Sequence, residues 1–177
     1  ARRGGATGHS AGGALRYTPR AASITTVTLT MILSSAIAFT VLDVTGTSTS
    51  SLDVQAALSG KSTAAATGNT LTTTQASEIA IGDVGWNGPL ITPSGQTAGY
   101  TTTPIAQSTV SSTNAGEQAA WKILNATGVQ TYGATLSTAP AWAAAIATFK
   151  VSTGPPPTTS GFSPPNGTSR TPVTNHG

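Results

Sequence analysis

Cysteine is absent from the 177 residues, and charged side chains make up only 7% of them. Without cysteine there is no disulfide scaffold, no thiolate metal site and no thiol nucleophile. Scarce charge argues against a helical domain, because amphipathic helices carry Glu, Lys and Arg on their outer faces. Ordinary domains hold about 25% charged residues. Lysine occurs only at Lys61, Lys122 and Lys150, which confines amine chemistry to three positions. The polar surface is built instead from Thr, Ser, Asn and Gln. Thr is β-branched and suits the exposed face of a strand.

The net charge of +3 is unevenly placed. Arg2, Arg3, Arg16 and Arg20 make the first twenty residues a basic arm before a nearly neutral body. Four arginines spread over Gly/Ala-rich sequence with one Tyr are too dilute for a nucleic-acid footprint, and no such partner is expected. Glycines at 4, 5, 8, 12 and 13 make a regular element costly in the arm, residues 1–21, whose start reads as a processed terminus.

No charged side chain lies between Arg20 and Asp43. By length this run spans a bilayer, but its period is two. Val27, Leu29 and Met31 alternate with Thr26, Thr28 and Thr30, Ser34-Ser35 interrupts, and Ile37, Phe39 and Val41 resume. Two strands fit better than a membrane helix, so no span is expected. Residues 46–77 suit loops and edge strands, and 78–85 a short strand. Trp86-Asn87-Gly88-Pro89 reads as a turn. Residues 97–113, 118–124 and 129–136 continue the strand series. Residues 141–151 carry an Ala run compatible with either helix or strand. Short strands with Gly, Pro and Asn between them predict an all-β antiparallel sandwich, jelly-roll-like, over residues 22–151. Residues 152–177, rich in Pro, Thr and Ser, read as an extended tail.

Three segments carry a resemblance: AFTVLDVTGTSTSSLDV (38–54), TTTQASEIAIGDVG (72–85) and APAWAAAIATFK (139–150). In order and spacing they resemble a β-sandwich domain repeated in large secreted bacterial surface proteins, often beside fibronectin-like modules. The resemblance implies a secreted, cell-surface, non-catalytic role. Members of that family have two or three further strands before the point that residue 22 matches. An open sheet margin is therefore expected, filled by the arm of a neighbouring copy. The expected function is a structural subunit of a filament or surface layer, a homo-oligomer held by strand or arm exchange. Arg2, Arg3, Arg16, Arg20, Val27, Leu29 and Met31 are its candidate assembly residues.

Other constellations stay open. Gly8-His9-Ser10-Ala11-Gly12-Gly13 resembles the nucleophile elbow of serine esterases, with Ser10 as nucleophile and His176 as base. Seven preceding residues leave no room for the buried strand that elbow needs. Trp86 in its turn, with Asn87 and Tyr100, offers a sugar-stacking surface and a polysaccharide partner, whereas Trp121 and Trp142 read as core. Asp43, Asp53, Glu78, Asp83 and Glu117 have no calcium-loop spacing and read as strand-end carboxylates, so neither metal nor cofactor is expected. Nothing in the spacing brings two of them together. A Lys–Asn isopeptide crosslink, as in some adhesins, needs a buried Lys beside Asn and an acid, for which Lys122 and Lys150 are the candidates.

Overall fold

The computed structural model describes residues 36–108 and 114–152. Arg2, Arg3, Ser10, Arg16, Arg20, Val27, Leu29, Met31 and His176 lie outside the described residues. So do the expected arm and the tail from residue 153 onward.

Eight strands are present: β1 (Thr47–Lys61), β2 (Ala64–Ala66), β3 (Ser77–Asn87), β4 (Thr101–Thr102), β5 (Ala106–Gln107), β6 (Ala115–Asn125), β7 (Gly133–Thr135) and β8 (Ala141–Val151). Among the described residues no helix occurs, and the strands pair antiparallel throughout. The large sheet runs β1-β8-β3-β6-β4, with β5 also on β6, and β2 pairs with β7 separately.

Side chains alternate across each strand, and both faces of the large sheet are covered. On one face Ala80, Val84, Trp86, Ala120, Leu124, Trp142, Ala144 and Ile146 form a buried cluster. Ala65 of β2, Ala134-adjacent Tyr132 and Leu136, and Ile91 close over it. On the other face Ile79, Ile81, Ala147 and Phe149 are buried beneath Leu42, Val44 and Leu52, with Trp121 and Ile123 beside them. A strand covered on both sides has no polar alternation to display. That is why β8 reads as an unbroken Ala-rich run. Its helix propensity is overridden by pairing with β1 on one edge and β3 on the other.

Glycine makes room for the large rings. Trp86 stands opposite Gly116 and Trp142 opposite Gly60 in the registers of their strands. A Cβ on Gly116 would run into the Trp86 indole, and one on Gly60 would come within 2.8 Å of Trp142 Cζ2. One on Gly82 would reach 2.6 Å from Tyr132 Cγ. The bare backbone at these points is the floor on which the aromatic rings lie.

Threonine does more than decorate strands. Thr67 donates its N–H to the Tyr132 carbonyl at 2.8 Å, and its hydroxyl accepts the Tyr132 N–H at 2.9 Å. Thr70 repeats this with Gln130 at 2.9 and 2.9 Å, and Thr73 with Gly128 at 3.1 and 3.1 Å. Each Oγ1 stands where a ladder carbonyl would stand. The ladder advances three residues on the Thr side for two on the other. All three Thr are buried. Thr97 with Gly133 and Ser108 with Ala115 make the same double bond elsewhere.

Several local expectations change. Residues 46–77 hold an edge strand, as expected, but it runs for fifteen residues. Trp86 and Asn87 end β3 instead of forming a turn, and the chain turns at Gly88, whose φ of 123° suits only glycine. Among the described residues of 97–113, two short strands form, β4 and β5. Residues 36–44 run extended in the anticipated alternation but with the opposite face inward. Ile37, Phe39 and Val41 are exposed, while Leu42 and Val44 pack on the sheet. No helix of the described residues is long and apolar enough to cross a membrane.

Candidate functional site

Folding joins acids that the sequence keeps apart. Four of the five carboxylates fall into two pairs, on opposite faces of the large sheet.

The first pair is Asp53 with Glu78. Asp53 lies where the β1–β8 register slips between Leu52 and Gln55, so the strand is irregular at this residue. Lys150 of β8 reaches Asp53 Oδ1 at 2.9 Å. Thr74 donates its amide to Oδ2 at 2.6 Å and its hydroxyl to Oδ1 at 2.7 Å. Burial alone would raise the Asp53 pKa, but the Thr74 amide and hydroxyl and Lys150 outweigh it and hold the carboxyl well below the usual carboxylate range. Glu78 of β3 sits directly across from Lys150 in the strand register. It is wholly buried, and neither carboxyl oxygen makes a well-formed hydrogen bond. Burial pushes its pKa up. The Thr148 hydroxyl opposes the shift and the Asp53 carboxylate adds to it. Asp53, Glu78 and Lys150 thus come from three adjacent strands to one point.

The second pair is Asp83 of β3 with Glu117 of β6. Gly85 is the register partner of Glu117, which places the two acids diagonally on one face. Thr40, from the extended segment 36–44, donates its hydroxyl to Glu117 Oε1. Burial pushes the Asp83 pKa up to about 8, reinforced by its hydrogen bond to Glu117 and the charge there. Asp83 Oδ1 is buried without a partner. No group of three or more metal-ligating side chains occurs among the described residues.

The aromatic residues are otherwise engaged. Trp86 is 2% exposed, so the open ring face expected in a turn is not there. Tyr100 stacks at a tilt on Tyr132, centroids 5.1 Å apart, with Lys122 Nζ 5.6 Å above its ring. Burial raises both tyrosine pKa values to about 12. Asn87 is exposed and lines an open groove of about 590 Å³ with Ser59, Lys61, Pro140 and Trp142. Trp142 is itself buried and gives its indole N–H to Ser62 Oγ at 3.0 Å. Trp142 is core, as read from the sequence, and Trp121 is partly buried beside the second cluster.

Among the described residues, an extended segment carries a row of exposed apolar side chains. Ile37, Phe39 and Val41 are 39%, 54% and 52% exposed and point the same way along one extended segment. That segment leads into β1, which pairs only with β8 among the described residues. Leu58 on β1 is exposed as well.

No family model matches the chain, and comparison with curated proteins and with solved structures finds no match. Sequence reading missed both acid pairs. The partners lie 25 and 34 positions apart, and only the strand order brings them together. The available signal was weak: Glu78 and Asp83 both sit inside an otherwise apolar strand pattern.

Proposed function

We propose that this chain is a non-catalytic, β-sandwich structural subunit that assembles with copies of itself at the bacterial cell surface. The observation that carries this reading is the outward row Ile37, Phe39 and Val41, on the extended segment that leads in sequence into the fifteen-residue edge strand β1. An apolar row on extended backbone, leading into a long edge with few charges, is suited to a second sheet margin of the same kind. Edge strands normally avoid such pairing with lysines, prolines or bulges. Here β1 has one terminal lysine and no proline, and its two register shifts, both before Gln55, leave Gln55–Lys61 in regular register. The secreted location rests on the resemblance of segments 38–54, 72–85 and 139–150 to repeated domains of bacterial surface proteins.

The sugar-binding alternative has lost the exposed Trp86 ring on which it stood. The esterase alternative rests on residues outside the described structure, and no described feature favours it.

Sedimentation of the purified chain over a range of concentrations, with electron microscopy of the same samples, tests the assignment. The wild type is expected to form oligomers or fibres with rising concentration. Phe39→Asp combined with Val41→Asp, both at exposed positions, is expected to leave a folded monomer. A wild-type chain that stays monomeric at high micromolar concentration would rule the assignment out.

A further inference from the structure

We infer that Lys150 and Asp53 are the two ends of an intramolecular amide crosslink, with Glu78 as the proton-transfer residue that promotes it. This goes beyond the assembly reading and does not depend on it.

The geometry has three parts. The Lys150 amine already touches the Asp53 carboxyl, at 2.9 Å. Thr74 grips both oxygens of that carboxyl and so fixes its plane. Glu78 lies across from Lys150, fully buried, near the Thr148 hydroxyl and Asp53 but with neither carboxyl oxygen in a well-formed hydrogen bond. A buried carboxyl without well-formed hydrogen bonds is costly to keep. A structural salt bridge between Lys150 and Asp53 does not require one. A condensation between them does, because protons must be moved where water is scarce.

The step balances with no co-reactant. In an uphill pre-equilibrium, because Thr74 and the ion pair favour the carboxylate, one proton passes from Lys150 to Asp53 and leaves a neutral amine and a neutral carboxylic acid. The Nζ lone pair attacks Asp53 Cγ and forms the N–C bond. Glu78 in its protonated form, which burial favours, gives its proton to the departing hydroxyl, and the C–O bond breaks to release water. Glu78 then takes the surplus proton from nitrogen and is restored. The Thr74 amide, which points at Oδ2, stabilises the negative charge that develops on that oxygen. Fixing amine and acid in contact supplies an effective molarity on the order of 10⁵ M or more. Lys150 keeps its side chain 31% exposed, which gives the released water a path out.

The partner differs from the Lys–Asn pairing anticipated from sequence. Lys122 is placed over Tyr100 instead, and the residue against Lys150 is an aspartate. The bond would tie the edge strand β1 to the last strand, β8, near the start of one and the end of the other.

Tryptic mapping of the folded full-length chain decides the matter. The crosslink blocks cleavage after Lys150 and joins segment 21–61 to segment 123–170 in one branched peptide, lighter by one water than the sum of its parts. Lys150→Arg is expected to abolish it. Glu78→Gln keeps the shape of the neutral acid and should slow its formation by about 100-fold or more. Linear peptides with cleavage after Lys150, in wild-type protein held folded for days, would overturn the bond whatever the variants do. A branched peptide that forms at an unchanged rate in Glu78→Gln would overturn the role of Glu78.

Discussion

At the scale of single residues, the buried acids make stability depend on pH in an unusual direction. Folded Asp83 holds its proton up to about pH 8, whereas the unfolded chain releases it near 3.8. Folding therefore takes up a proton between those values. The contribution is fully present at the acid end of the window and is lost as pH rises through about 8. Glu78 is shifted in the same direction, so the difference between wild type and Asp83→Asn separates the Asp83–Glu117 pair from Glu78. The thermal midpoint of the variant is expected to change less across this window, and to lie above that of the wild type at its alkaline end. Parallel profiles would contradict the assignment. Gly82 gives a second expectation. Its missing Cβ is the space that Tyr132 occupies, so Gly82→Ala should cost about 1–3 kcal/mol by overpacking. Pairing it with Tyr132→Leu should return part of that loss in denaturant titrations.

At the scale of elements, the threonine ladder explains a composition that is otherwise only a bias. The Thr70 hydroxyl is the acceptor for the Gln130 amide. Thr70→Val keeps shape and removes that acceptor, leaving a donor unmet at a cost of about 1–3 kcal/mol. Thr70→Ser should recover most of it, and urea unfolding of the two variants reads the difference. If Val and Ser behave alike, the hydroxyl is not what holds the segment. Much of the strand content was legible beforehand: period two in 78–85 and 118–124 marked β3 and β6 correctly. The ladder was not legible, because a spacing of three belongs to no regular strand and each Thr needs a partner about sixty residues away. The inward face of 36–44 was misjudged for a related reason. Ile37, Phe39 and Val41 resume the period-two alternation of the preceding run, and that pattern does not say which face meets the sheet. Leu42, Val44 and the Thr40–Glu117 hydrogen bond instead fix the other face against the sheet. Neither acid pair could be read without knowing that β3 lies between β8 and β6.

At the scale of the molecule, the order β1-β8-β3-β6 places the latest strand in sequence between the first and the third. Neither β1 nor β3 reaches that neighbour until Ala141–Val151 has been made. Pairing over such separations folds slowly, in milliseconds to seconds for sheet proteins of this kind. A chain cut before Ala141 is expected to aggregate instead of remaining soluble and folded, which light scattering after refolding would register. A soluble, cooperatively unfolding fragment would count against that. During synthesis the ribosome therefore releases β8 last of the described strands. Until it arrives, the apolar faces of β1 and β3 wait side by side with a strand-wide gap between them. The interval between emergence of β3 and emergence of β8 is when this polypeptide most needs a chaperone, and when a strand from another nascent chain has its best chance to slip in.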